Sequence, residues 1–250
     1  IADLGRITTR GGSLQLGFPL PRSRYSRVFV SYGIEVEQYS GAAQNLTGSF
    51  RCADCLRSTA GIQFLRDTRI DLPFATGGAM HNLSANFTGG VLGGSATFQR
   101  YDLEGRWYAP AGRLGGGPLP GSGVRLVLGL TTKAGFVFGD PGPFFRQLYA
   151  MGGTQFGIPL RGYDEFAITP QGFNPDATLG GVPRTAFGRS YYATTVEFGA
   201  RFSQQIYLSA FYDAGNVWSS AAGFNPARLF RGAGVGVAMI TPLGPMGVDY

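Results

Sequence analysis

Apolar and polar residues alternate with a period of two through most of this sequence, and that spacing suits β-strands and no helix. In 25–38, Val28, Val30, Tyr32, Ile34 and Val36 fall on one face, and Arg27, Ser31, Gly33, Glu35 and Glu37 on the other. In 98–108, Tyr101, Leu103 and Trp107 alternate with Arg100, Asp102, Glu104 and Arg106. Leu83, Ala85 and Phe87 alternate with Asn82, Ser84, Asn86 and Thr88, and Leu126, Leu128 and Leu130 with Arg125, Gly129, Thr131 and Lys133. Further strands read at about 12–18, 57–66, 190–202, 205–218, 230–240 and 246–250, which makes ten.

Soluble sandwiches alternate too, with the apolar face turned inward. Two features favour an antiparallel transmembrane β-barrel instead. Segments 25–38 and 205–218 cover fourteen residues each, longer than the five or six of an ordinary strand and suited to a tilted bilayer crossing. The polar faces carry glycine, small polar residues and mixed charges, as a wet lumen does, while aromatics mark the apolar faces near the strand ends. Connections alternate between short (19–24, 203–205, 241–245) and long (39–56, 137–186, 219–229), with 109–123 read as a longer turn on the short side. Composition agrees: 41 glycines and 15 prolines in 250 residues disfavour a helical protein. The 14% aromatic and 14% charged content disfavours a disordered one. No apolar run approaches the length of a membrane-spanning helix. No linker divides the chain, so 1–250 reads as one barrel unit. No signal peptide precedes Ile1, so the chain is expected to be mature or a fragment.

With 21 basic and 15 acidic residues the chain carries +6, nearly all of it from scattered arginines, since Lys133 is the only lysine. Arg27, Arg66, Arg100 and Arg231 form no aromatic-interleaved run, so nucleic acid is not an expected partner. Cys52 and Cys55 are the only cysteines. Their C-x-x-C spacing lacks both a thioredoxin-like context and two further zinc ligands, so a small loop-closing disulfide is expected. His81, the only histidine, has no nucleophile pattern around it and reads as a rim or lumen residue. The glycine pairs at 89–90 and 93–94 lack the Lys-Ser/Thr of a phosphate loop. Neither an enzyme nor a metal or other cofactor is expected.

The segment 139–186 is too long for an ordinary hairpin loop and too apolar to be disordered. It holds aromatics, glycines and Arg161 within Leu160-Arg161-Gly162-Tyr163, and the barrel lumen is where such a loop would pack. Strand phase points Val196, Phe198, Leu208, Ala210 and Tyr212 outward, hence Glu197 and Asp213 inward. These carboxylates are either partners for a half-buried Arg161 or ordinary hydrated lumen charges.

Several of these segments resemble one family. Leu160-Arg161-Gly162-Tyr163 resembles the (V/I)RG(F/Y) motif of the BamA superfamily of outer-membrane protein assembly factors. The run Phe211-Tyr-Asp-Ala-Gly-Asn-Val-Trp218 resembles its F-x-D-x-G-x-V-W strand, and the end of the chain, Ile-Thr-Pro-Leu-Gly-Pro-Met-Gly-Val-Asp-Tyr, its S-P-L-G-P-L hairpin. Segments 67–78, 89–94, 101–104 and 107–108 fit as well, and the likeness runs from about residue 12 to the end.

The resemblance implies a sixteen-stranded barrel preceded by POTRA repeats, so ten strands make the chain incomplete at both ends. It also implies that the loop folds into the lumen and that Arg161 meets both Glu197 and Asp213. The implied activity is to help unfolded β-barrel clients fold and insert into the bacterial outer membrane. The implied partners are outer-membrane lipids, those clients and accessory lipoproteins of an assembly complex. A TamA-like or two-partner-secretion-type polypeptide translocation pore is the alternative, and a diffusion porin comes third.

Overall fold

The computed structural model describes residues 6–40, 54–116, 123–176, 186–242 and 244–250. Ten long strands form one antiparallel sheet: β1 (Arg6–Pro19), β2 (Ser26–Ser40), β3 (Asp54–Asp67), β4 (Gly78–Thr88), β5 (Thr97–Leu114), β6 (Val124–Asp140), β9 (Ser190–Arg201), β10 (Ile206–Trp218), β11 (Phe230–Thr241) and β12 (Gly244–Asp249). Two short strands, β7 (Ile168–Thr169) and β8 (Gly172–Phe173), pair with each other inside the excursion between β6 and β9. Each long strand pairs with the next in sequence, so the sheet is a meander interrupted only by that excursion. Among the described residues β1 and β12 are edges and do not pair with each other. No described helix is long and apolar enough to cross a membrane.

All ten strands expected from the alternation are present, most of them longer at one or both ends than the pattern alone indicates. The largest difference is at 109–123. Ala109-Pro110-Ala-Gly-Arg-Leu reads as a turn, yet β5 continues to Leu114 opposite β6, and only 115–123 connects the two. The register shifts between Pro110 and Gly112. A bulge there removes the need for a ladder N–H from proline, and Gly112 takes φ +137°, which side-chain-bearing residues rarely adopt. The connections 20–25, 115–123, 202–205 and 242–243 at one end are short, while 41–53, 141–189 and 219–229 at the other are long. The connection 68–77, on the short side, is longer than 89–96 on the long side.

Burial is inverted relative to a soluble sheet protein. Val30, Tyr32, Ile34, Leu128, Leu130, Val196, Phe198 and Tyr212, all on the apolar face, are exposed. The contiguous core lies on the polar face, between the sheet and the excursion. The excursion contributes Phe144, Tyr149, Met151, Leu160 and Ile168; the strands contribute Tyr39, Phe98, Val137, Tyr191 and Val217. An exposed apolar band outside and a core built by an inserted segment inside are what a bilayer-embedded barrel requires.

Candidate functional site

The excursion 141–189 is pinned to the inner face at several separated strands. Near its start, the Tyr39 hydroxyl of β2 donates to the Pro143 carbonyl at 3.1 Å. Further along, the Tyr149 hydroxyl donates to Asp102 Oδ1 of β5 at 2.9 Å. Arg100 lies 4.7 Å from the centre of the Tyr149 ring and donates to the Gln147 carbonyl at 3.1 Å. Burial first, and then the neighbouring Asp102 charge, push the Tyr149 phenol well above its ordinary value, so it remains a donor at neutral pH. The excursion also clasps itself. Glu165 accepts the backbone N–H groups of Thr154, Gln155 and Phe156 at 2.7, 2.7 and 3.1 Å, a small anion nest closed by the chain's own carboxylate.

The four residues of Leu160-Arg161-Gly162-Tyr163 each have a separate part. Leu160 is fully buried in the core, and its N–H bonds the Gly153 carbonyl at 3.0 Å. Gly162 adopts φ +87° in open space, so backbone conformation and not crowding calls for glycine there. The Tyr163 hydroxyl donates to the Arg231 carbonyl of β11 at 2.9 Å, and its ring meets Phe173 and Phe230 edge-on. Arg161 reaches β10. Its Nε and Nη2 donate to Asp213 Oδ2 and Oδ1 at 2.6 and 2.8 Å, a bidentate pair. Its guanidinium carbon stands 3.3 Å from the centre of the Phe211 ring. Burial opposes the charge on Arg161, but the hydrogen bonds and charge of Asp213 outweigh it and raise the guanidinium above its ordinary value. Asp213 is only 4% exposed and also accepts from the Thr195 hydroxyl at 2.7 Å. The Arg161 carbonyl occupies the place a Cβ on Gly232 of β11 would take, so glycine at 232 admits the loop.

Glu197 faces inward as its phase requires, but its contact is different. The Tyr207 hydroxyl donates to Glu197 Oε1 at 2.7 Å, and no hydrogen bond or ion pair links Glu197 to Arg161 among the described residues. Both line a cavity of about 290 Å³ together with Tyr207, Asp249 and Phe74. The Phe74 ring, from the connection 68–77, stacks on Tyr207 with centroids 5.0 Å apart. The second carboxylate nearest Arg161 is Asp249 of β12, 3.6 Å from Nη1 and half open to solvent. Sequence reasoning missed that residue and the Phe211 platform. The F-x-D spacing carried the signal for Phe211, because residues two apart on a strand share a face.

Cys55 is buried and disulfide-bonded, while Cys52 lies outside the described residues. His81 stands against Trp107, ring centroids 5.4 Å apart, on the outward face of β4. No cluster of potential metal ligands occurs among the described residues.

A model of the Omp85 superfamily domain matches residues 2–250. The chain belongs to the Omp85 superfamily. Among solved structures, this Omp85 chain is similar to BamA from Haemophilus ducreyi lacking POTRA domains 1–3, with a TM-score of 0.73 and 18% sequence identity. The superposition covers 98% of this chain and 51% of that one, so the chain spans about half its length. At that identity the likeness establishes the fold: this antiparallel sheet resembles part of the BamA barrel. A comparison with curated proteins gives no match.

Proposed function

We propose that this Omp85 chain is the barrel portion of a factor that helps unfolded β-barrel proteins fold and insert into the bacterial outer membrane. Its partners would be outer-membrane lipids, those clients and accessory lipoproteins. The observation that carries the reading is the motif loop clamped to the inner face by Arg161 and Asp213, in a chain that matches the family along its whole length. A segment that buries Tyr149, Met151, Leu160 and Ile168 fills the space that a diffusion pore leaves open. Arg161 in this reading braces the barrel and takes part in no covalent step.

The test reconstitutes the intact protein, with its accessory subunits, in vesicles of outer-membrane lipids. An unfolded β-barrel client is added and its folding is followed by heat-modifiable gel mobility. Client folding should be accelerated over protein-free vesicles. Unaccelerated folding together with passage of an unfolded polypeptide into the vesicle interior would replace the proposal with a translocation pore.

A further inference from the structure

A row of three arginines crosses the inner face at the short-turn rim, and nothing in the loop clamp uses it. Arg113 of β5 stands directly opposite Arg125 of β6, and Arg125 directly opposite Arg201 of β9. Like charges in direct cross-strand register destabilise a sheet, so sheet formation alone does not account for the row. One carboxylate meets it. Asp71, from the connection 68–77, places Oδ2 at 2.6 Å from Arg125 Nη1 and 3.4 Å from Arg201 Nη1. Arg113 has no ion pair among the described residues. Among the described residues, three cations against one anion leave two positive charges uncompensated.

Arg201 is the decisive member. It is 7% exposed, its Nε donates to the Ser203 carbonyl at 3.2 Å, and its Nη1, though 3.4 Å from Asp71 Oδ2 as an ion pair, makes no hydrogen bond among the described residues. A buried guanidinium nitrogen without an acceptor is costly, and costlier still beside other cations. Two adjoining cavities, of about 210 and 360 Å³, share Asp71 and Arg125 and between them reach all three arginines. Ser203 lies on the wall of the smaller one.

We propose that this arginine row is a binding site for a phosphate-class oxyanion, with Asp71 as the internal group that occupies it in the ligand's absence. Charge sets the class: with Asp71 displaced, three guanidiniums face the site, and a phosphoryl group, carrying about −1.5 to −2 at pH 7, offsets more of that charge than one carboxylate does, while its three oxygens suit planar guanidinium donors. Asp71 is poised for exchange and not fixed like Asp213. Its side chain is about one-third exposed, against the buried Asp213; it is held by the Thr76 hydroxyl within its own connection and sits at φ +61°. Ligand entry would displace Asp71 from the arginines and loosen the connection whose Phe74 caps Tyr207 and the cavity beside Arg161. The oxyanion could be free phosphate or a phospholipid headgroup at the rim.

The experiment titrates inorganic phosphate into the intact protein in a zwitterionic detergent, with chloride held to constant ionic strength, and follows binding by calorimetry and thermal stability. Phosphate should bind and stabilise where chloride does not. Arg201→Gln should weaken binding about tenfold or more, the loss expected for one charge-assisted contact. Asp71→Asn should tighten it about tenfold, because the internal competitor is gone; a merely structural Asp71 would not behave this way, so this arm stands even where Arg201→Gln fails to fold. In a parallel arm, monomeric short-chain phosphatidylglycerol should bind and be displaced by phosphate if the headgroup is a source. Phosphate binding no better than chloride, equal affinity in wild type and Arg201→Gln, unchanged or weaker affinity in Asp71→Asn, or lipid that phosphate cannot displace would each overturn the site.

Discussion

Replacing Arg161 with alanine removes more than one contact, and the structure says how much. Two charge-assisted hydrogen bonds to Asp213 and the stack on Phe211 disappear together. What remains is Asp213, 4% exposed, with a hydroxyl from Thr195, a long contact of 3.4 Å from the backbone N–H of residue 161, and no cation. Breaking a buried pair from one side typically costs about 3–5 kcal/mol, most of it the stranded charge. The cost should fall on local attachment of the loop, since the Tyr39, Tyr149 and Tyr163 contacts are untouched. Opening of the segment around 150–166 should therefore become roughly 100- to 5000-fold more frequent. Hydrogen exchange with mass spectrometry on the intact protein in detergent reads this directly, because the Gly153 and Leu160 amides are bonded within that segment at 3.0 Å. Peptides from β5 and β6 should keep their protection.

Two companion variants separate the stranded-charge argument from simple loss of packing. Arg161→Ala combined with Asp213→Asn should exchange more slowly than Arg161→Ala alone, since no uncompensated carboxylate remains. Glu197→Gln should change exchange in 150–166 less than tenfold, because Glu197 bonds the neutral Tyr207 hydroxyl, which an amide oxygen can also accept. Protection of 150–166 within threefold of wild type in Arg161→Ala, or a double variant as open as the sum of the singles, would refute the reasoning.

Two more outcomes follow from the same geometry. Gly232→Ala places a methyl against the Arg161 carbonyl, so it should raise exchange in 150–166 while β10 and β11 stay paired, as their own peptides will report. Leu130→Arg puts a charge on the exposed apolar face and should destabilise the protein in vesicles by about 2–4 kcal/mol if it lies near mid-bilayer, whereas Thr131→Arg on the inner face should cost markedly less; urea unfolding in lipid vesicles compares them.

Strand phase was enough to turn Asp213 and Glu197 inward, because a side-chain period of two leaves no other choice once Val196, Phe198 and Tyr212 face out. It could not say which carboxylate Arg161 would take. That depends on the height at which the loop crosses β10 and on the connection 68–77, whose Phe74 stacks on Tyr207 and so fixes Glu197's hydrogen-bond partner. The same limit applies to β5. Proline and glycine at 110 and 112 signal a turn by local propensity, and only pairing with β6 turns that signal into a bulge. The arginine row was invisible for a stronger reason. Arg125 and Arg201 come into register across the whole excursion 141–189, a separation no local pattern encodes.

The inner loop is better regarded as the core of this fold than as an appendage to it. A sheet with both faces solvated, one by lipid and one by water, has nothing to bury, and its inner residues Val137, Tyr191 and Val217 are apolar enough to need cover. The excursion supplies that cover, but apolar contact alone would let it slide along the sheet, since dispersion and hydrophobic burial are not directional. Polar pins fix its position: Tyr39 on β2, Asp102 on β5, Asp213 on β10 and the Arg231 carbonyl on β11. They fall on three separated parts of the sheet order, β2, β5 and the adjacent pair β10 and β11, so the loop is fixed to different parts of the wall. Loss of one pin therefore frees the loop locally and leaves the others engaged. Only the Asp213 pin carries a buried full charge on each side, which is why disturbing it should release the loop furthest.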